Sequence, residues 1–332
     1  MKVLFFTRKL DKNDPRIGFA HRWVQELAGR VDRLYVVCLE KGQVDLPKNV
    51  EIHTLGKGKI RRLLRLDKLM FSLARKVDVI FCHMNPIYTI ISAPYAKLYR
   101  KKLYMWHTHG KITYKLKLAH SLADGVLTAS EGSFPIKSRK VRVLGHGIDT
   151  DMFAPKKTLH PGPVLISVGR ISPVKRIETL IKGMPPVIKK HNNAKLLLVG
   201  DAPLEGDRVY MGNLKKLVSE LSLEKHVQFL GPTDYQKMPE HYHKADLFVS
   251  ASATGSLDKT VLEAMACELP VLVSGNVYKD LKGPLLFRNS EDFAGAVGKA
   301  LKIKDRKLLR QEIIENHNLG KLMDKIVRTF EK

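Results

Sequence analysis

Twice along this chain a series of short, almost uninterrupted apolar runs alternates with longer amphipathic ones. Nothing else in the sequence restricts the fold as much. Val3–Thr7, Leu34–Leu39, Val77–Cys82, Leu103–Trp106 and Gly125–Ala129 make the first series of expected strands. Runs apolar on both faces suit a parallel sheet covered by helices on each side, since a strand with one wet face would alternate. Ile17–Gly29, Ile60–Lys76 and Ile87–Arg100 lie between them with helical spacing, and Asp14-Pro15 is a start signal for the first. The second series has strands at Pro163–Gly169, Lys195–Gly200, Val227–Leu230, Leu247–Ser250 and Leu269–Ser274. Its helices are expected at Ile177–His191, Asn213–Leu221, Tyr235–Lys244 and Lys259–Cys267. Pro185-Pro186 should kink or shorten the first of these. Two more helices, Ser290–Leu301 and Arg306–Glu331, are expected to close the chain, the second broken near Asn318-Leu319-Gly320.

Two βαβα series in 332 residues imply two doubly wound α/β domains, each long enough to bury its own core. Pro155, Lys156, Lys157 and Pro161 interrupt the periodicity between the series. The expected division is 1–155 and 156–315, with 316–332 a last helix packing back on the first domain. Open α/β sheets bind ligands at the carboxyl ends of their strands, so the cleft between two such domains is the expected site.

The formal net charge is +25, and it is uneven. The first 150 residues hold 29 basic and 12 acidic side chains, a net of +17, against +8 for the rest. Such a field attracts phosphates, nucleic acid or anionic lipid. Lys57, Lys59, Arg61, Arg62, Arg65, Lys68, Arg75 and Lys76 punctuate the apolar residues of 60–73 and make a basic amphipathic helix. Such a helix suits an anionic membrane surface, or packs its apolar face on the sheet with a solvated basic face. No apolar run reaches the roughly 18–20 residues needed to span a bilayer. Cys38, Cys82 and Cys267 stand in apolar surroundings without paired spacing, which suits buried thiols and a cytoplasmic setting.

Two segments carry chemistry. In Val168-Gly169-Arg170-Ile171-Ser172-Pro173-Val174-Lys175-Arg176 an expected strand ends at a glycine and a helix follows. The glycine permits close approach of backbone and ligand, and Arg170 and Lys175 can hold a diphosphate and stabilise its charge as it leaves. In the second, a strand runs through Gly255, Ser256, Leu257 and Asp258 into a helix that carries Glu263. The turn offers backbone N–H groups, and Glu263 could pair with vicinal ribose hydroxyls or be an ordinary exposed helix glutamate.

The ordered pieces Gly-Arg…Lys-Arg (169–176), Leu-Leu-Leu-Val-Gly-Asp (196–201), Val-Gln-Phe-Leu-Gly (227–231), Ala-Asp-Leu-Phe-Val-Ser (245–250) and Leu-Glu-Ala-Met-Ala-Cys (262–267) resemble the group 1, or family 4, retaining glycosyltransferases. The resemblance runs over essentially the whole chain and is strongest over 141–275. It implies the GT-B fold, two Rossmann-like doubly wound domains facing a central cleft. It implies retaining, hexosyltransferase-like transfer from a nucleotide-diphosphate sugar, such as a UDP- or GDP-sugar, to a glycan, lipid-linked or small-molecule acceptor. No metal or other cofactor is implied. The leaving phosphate is thought to help deprotonate the acceptor on the front face of the sugar.

Carried over by position, Gly169, Arg170 and Lys175 are donor ligands, and Glu263 is the second glutamate of an E-x7-E pair. The first would fall at 255, where this chain has Gly255. Backbone amides of Gly255, Ser256 and Leu257, or the Asp258 side chain, are then expected to serve the donor sugar. In Trp106-His107-Thr108-His109-Gly110 the resemblance assigns His109 to the site and leaves His107 a structural residue. Arg16 and Gly18, in the loop after the first strand, are expected acceptor contacts. Asp149-Thr150-Asp151 matches a metal-binding pattern of a different transferase fold and is not taken as a metal site. The resemblance also suits peripheral attachment to the inner face of the cytoplasmic membrane. Two alternatives remain open: a degenerate, non-catalytic GT-B partner, prompted by Gly255, and a basic nucleic-acid-binding protein, prompted by the charge. Against the latter, the chain lacks aromatic-interleaved basic patterns and zinc-finger spacing, so no nucleic acid partner is expected.

Overall fold

The computed structural model describes residues 1–156, 161–279 and 281–332. Lys157 and the side chain of Lys59, both named above, lie outside the described residues. The chain divides into two compact units, Met1–Gly147 with Asn318–Lys332, and Ile148–His317.

The first unit runs β1 (Lys2–Leu10), α1 (Phe19–Ala28), β2 (Arg33–Lys41), β3 (Val50–Thr54), α2 (Lys59–Leu73), β4 (Val79–His83), α3 (Pro86–Leu98), β5 (Lys102–Trp106), α4 (Tyr114–Leu122), β6 (Gly125–Thr128) and β7 (Val141–Val143). The strands form one sheet in the order β3-β2-β1-β4-β5-β6-β7, every pairing parallel. The unbroken apolar runs have the reason expected of them. Along β1, Val3 and Phe5 face one core and Leu4 and Phe6 the other. Asn85 starts α3 by accepting the N–H of Ile87, and Thr113 starts α4 by accepting that of Leu116.

The second unit runs β8 (Val164–Val168), α5 (Ile177–Lys182), α6 (Met184–Lys190), β9 (Lys195–Val199), α7 (Glu205–Glu220), β10 (Val227–Gly231), α8 (Met238–His243), β11 (Leu247–Ser250), α9 (Lys259–Ala266), β12 (Val271–Val273), β13 (Leu285–Leu286), α10 (Ser290–Ala300) and α11 (Lys307–Asn316). Its sheet order is β10-β9-β8-β11-β12-β13, again all parallel. The chain then returns to the first unit as α12 (Leu319–Glu331), whose Leu319, Leu322, Met323, Ile326 and Phe330 complete the core on the α1 side of that sheet.

Two expected helix interruptions have local causes, and the division between the units moves. The helix expected over 177–191 breaks at Gly183, where a Cβ would stand 2.5 Å from the Phe293 ring of α10, and Pro185 stands in the first turn of the helix that follows. The last helix breaks at Asn318, whose side chain accepts the N–H of Lys321 at 2.9 Å and starts α12. The division between units falls after Gly147 rather than at 155. Ile148 N–H donates to the His317 carbonyl, Arg310 donates to the carbonyls of Thr150 and Phe153, and the buried Phe153 ring meets Tyr235 and Tyr242. That segment therefore belongs to the second unit.

Candidate functional site

In each sheet the strand order reverses beside the first strand, between β1 and β4 and between β8 and β11. Such switch points leave a crevice at the strands' carboxyl ends. In the second unit that crevice receives both chemical segments singled out above.

Gly169 follows β8 with φ +144° and Gly200 follows β9 with φ +147°. A Cβ on Gly200 would stand 1.8 Å from the Gly169 carbonyl oxygen, so the two backbones touch where no side chain fits. A shallow recess opens here, lined by Gly169, Arg170, Lys175 and Ser250 among others. The Arg170 guanidinium is nearly half exposed, and its Nε lies 3.8 Å from Oδ2 of the buried Asp207 on α7. That separation is an ion pair without a hydrogen bond, and Oδ2 finds no other partner among the described residues. Lys175 ends a 3₁₀ turn, Pro173–Lys175, and Arg176 follows in the left-handed region at φ +47°.

The second segment meets the first directly. Ala253 N–H donates to the Val174 carbonyl at 2.9 Å. Lys175 Nζ lies 2.9 Å from Asp258 Oδ2 and 3.4 Å from Ser252 Oγ. Gly255 turns the loop at φ +70°, Ser256 is half-buried and Leu257 buried. Asp258 N–H donates to the Tyr278 hydroxyl. The structure thus brings Gly169, Arg170, Lys175 and the 255–258 turn to one place.

Burial and hydrogen bonding decide three further points. Glu263 is not an exposed helix glutamate. It is 3% exposed, its Oε2 accepting the Tyr242 hydroxyl at 3.0 Å and its Oε1 that of Tyr235 at 3.4 Å. Burial pushes its carboxyl up to about 7 against the opposing pull of Lys259 and the two tyrosines. Lys259, one turn earlier, is pushed down to about 8 by burial, with Glu263 and Asp149 opposing. Second, the start of α5 is not an open anion site, because Ile177 N–H is taken by the Tyr210 hydroxyl, which itself donates to Glu178. Third, the Asp149 carboxylate has a structural partner. It is buried in the second unit and holds the Met152 N–H at 3.1 Å. Sequence reasoning missed Tyr235, Tyr242 and Lys259. The only signal for them was the i, i+4 spacing of Lys259 and Glu263 on an otherwise apolar helix. Among the described residues no group of three or more His, Cys, Asp or Glu could hold a metal ion.

The first unit's crevice is different chemistry. His109 is exposed, its Nδ1 accepting the Lys111 N–H at 3.1 Å. The buried histidine is His107, 7% exposed, with Nδ1 3.1 Å from the Met84 carbonyl. That contact needs a proton on Nδ1 and leaves Nε2 a bare acceptor, buried and without a partner among the described residues. Burial holds its pKa below the usual value, so the ring is neutral at pH 7. Met84 presents the carbonyl from a left-handed backbone at φ +66°. The expected acceptor loop is organised by Lys9, which bridges Asp11 at 3.1 Å and Asp14 at 2.7 Å. Burial raises the Asp14 carboxyl, but Lys9 and the N–H groups of Ile17 and Arg16 outweigh it and hold the group below its ordinary range. The Arg16 side chain is exposed; buried Gly18 has an ordinary helical φ of −54°.

On α2, Leu66, Met70 and Leu73 are buried against the sheet, yet Ile60, Leu63, Leu64 and Phe71 are 56–77% exposed. The apolar face is therefore only partly spent on packing. Among the described residues no helix is long and apolar enough to cross a membrane.

The family model described as glycosyl transferases, group 1, matches residues 149–317, which contain this whole donor-side arrangement. Among curated proteins, alpha-monoglucosyldiacylglycerol synthase of Streptococcus pneumoniae is 32% identical over 142 residues, 41% of this chain and 31% of the relative. The GDP-mannose-dependent alpha-(1-6)-phosphatidylinositol monomannoside mannosyltransferase of Mycolicibacterium smegmatis is 29% identical over 143 residues, 38% and 36% respectively. The match thus spans about a third of each relative's length. Among solved structures, Anabaena HepE in complex with UDP and glucose aligns over 100% of both chains with a TM-score of 0.79 at 19% identity. That likeness shows the fold.

Proposed function

Because the chain belongs to the group 1 glycosyl transferases, we propose that it transfers a sugar, with retention, from a nucleoside-diphosphate sugar bound by the second unit to an acceptor bound by the first. The observation that carries this reading is the placement of Arg170 and Lys175 at the β8–β11 switch point, beside a bare Gly169–Gly200 backbone. As the bond from the anomeric carbon to the phosphate oxygen breaks, negative charge builds on the diphosphate. A fixed guanidinium and ammonium stabilise that charge without waiting for water to reorganise. The acceptor hydroxyl oxygen forms the new bond on the same face, and its proton passes to the departing phosphate. Asp258 pairs with Lys175 at 2.9 Å and Asp207 with Arg170 at 3.8 Å. Binding of a diphosphate replaces that neutralisation.

The carboxylate absent at Gly255 is supplied three residues later by Asp258, which faces the same recess residue, Lys175. Glu263 reaches ribose hydroxyls only by exchanging them for the Tyr235 and Tyr242 hydroxyls. We therefore assign it first to holding α9 in register with α8. UDP- and GDP-sugar donors are both in keeping with the similar proteins, one a GDP-mannose-dependent transferase and one solved with UDP. The lipid acceptors of the two curated relatives, together with the exposed Ile60, Leu63 and Leu64 beside Arg61, Arg65 and Lys68 on α2, favour peripheral attachment to an anionic membrane.

The test is a transfer assay with UDP- and GDP-sugars in the presence of lipid and glycan acceptors. Product with the anomeric configuration of the donor supports the reading. Turnover undiminished in Lys175→Ala removes its basis. Vesicle flotation of Leu63→Asp/Leu64→Asp tests the membrane part, which requires weaker binding than wild type.

A further inference from the structure

The amino-terminal edge of the first sheet carries a second concentration of positive charge, on the side away from the strands' carboxyl ends. An open basin of about 370 Å³ is lined by Arg100, Lys101, Lys102, Arg142, Lys332, Tyr104 and Asp124. Three separate segments bring its cations together. Arg100, Lys101 and Lys102 form the turn between α3 and β5, Arg142 enters from β7, and Lys332 follows α12.

Four observations set this basin apart from an ordinary solvated surface. First, Arg100, Lys101, Lys102 and Arg142 form no ion pair among the described residues, although they face one another across a concavity. Second, basic side chains outnumber acidic ones five to one in the lining, and the one acid, Asp124, also accepts the Leu103 N–H through Oδ2 at 2.7 Å. Third, Arg100 ends α3 at φ +52°, with Lys101 N–H returning to the Ala96 carbonyl, which is the left-handed helix-end position that glycine fills at least cost. Fourth, the floor is fixed. The Tyr104 hydroxyl donates to the Thr329 carbonyl at 3.0 Å, and Arg142 reaches the Thr329 hydroxyl at 3.4 Å.

Five like charges gathered in a concavity with a single carboxylate among them repel one another, and a bound polyanion relieves that repulsion. Guanidinium groups match phosphate oxygens in pairs, while lysine ammonium groups act as point charges. We propose that this basin is a binding site for a phosphate or diphosphate group, separate from the donor site and not dependent on the reading of it. The chemistry is shared by two sources, a free phosphate compound and a phosphate-bearing lipid headgroup. Exposed Leu98 beside the turn, and exposed Phe71, whose ring meets Tyr99, give the lipid source an apolar flank.

The experiment uses the full chain carrying Arg170→Ala and Lys175→Ala, so that the donor site does not report. Inorganic pyrophosphate is titrated by calorimetry at low and at moderate salt. The same protein is floated with phosphatidylcholine vesicles with and without phosphatidic acid. Both measurements are repeated after adding Lys101→Ser, Lys102→Ser and Arg142→Ser. These are surface changes, and an unaltered melting temperature without ligand checks that the fold survives. Saturable pyrophosphate binding that weakens about tenfold or more in the triple variant, and weakens with salt, supports a site for free phosphate. Phosphatidic-acid-dependent flotation lost in the triple variant and displaced by pyrophosphate supports the headgroup source. If neither binding changes in the triple variant, or neither occurs, the proposal is overturned.

Discussion

The two units share one strand order and put opposite chemistry at the place where that order reverses. At the β8–β11 crevice stand two cations, one of them nearly half exposed, beside backbone stripped of side chains. At the β1–β4 crevice stand a neutral histidine with a bare nitrogen and a loop whose lysine is already balanced by two aspartates. The first arrangement suits a diphosphate; in the second, the histidine nitrogen without a partner is buried. The topology leaves a crevice in each sheet, and the side chains decide its chemistry.

Breaking the charged crevice should have the largest effect. Lys175→Ala or Arg170→Ala should lower turnover by about a hundredfold to a thousandfold, as removal of one transition-state donor typically does. The corresponding loss in the other crevice should be smaller and of another kind. His107→Phe should leave nucleotide binding intact, raise the acceptor KM, and cost about 1–3 kcal/mol in stability because the Met84 carbonyl loses its donor. Steady-state kinetics with each substrate varied in turn separate the two.

The backbone contact beneath the charged crevice can be broken without touching charge. Gly200→Ala forces a Cβ to within 1.8 Å of the Gly169 carbonyl at a φ of +147°. It should destabilise the second unit by about 3 kcal/mol or more, read by denaturant unfolding with a probe in that unit.

A smaller, pH-dependent effect follows from Glu263. Its folded pKa, about 7, lies above the ordinary value of 4.5, so between those limits the folded state holds a proton the unfolded state has lost. This group therefore lowers stability as pH rises from about 4.5 to 7, by at most about 1.4 kcal/mol per pH unit. Lys259 acts in the opposite sense from about 8 to 10.5, where the unfolded chain holds the extra proton and stability rises with pH. Unfolding free energies across pH 4–8 should show a flatter acid-side slope in Glu263→Gln than in wild type.

How much of this was legible beforehand depended on whether a feature is local. The doubly wound architecture followed from apolar runs such as Val3–Phe6 and Leu196–Val199, because burial on both faces writes itself into consecutive residues. The half-exposed edge strands β3, β7 and β13 carry no such run and were not anticipated. Arg170 and Lys175 were legible because glycine, arginine and lysine follow a strand within seven residues. The burial of Glu263 was not, since Tyr235 and Tyr242 reach it from elements more than twenty residues away. Nor was the Met84 carbonyl that His107 meets, which comes from the end of another strand. One residue separates His107 from His109, yet the first ring is buried and the second exposed.

The most direct test of the central claim is calorimetric titration of the full chain with UDP and with GDP, in wild type, in Lys175→Ala and in His107→Phe. The account predicts that one nucleotide binds, that Lys175→Ala weakens it by about tenfold or more, and that His107→Phe leaves it unchanged. Nucleotide binding indifferent to Lys175, or dependent on His107 instead, would contradict the assignment of the donor to the second unit.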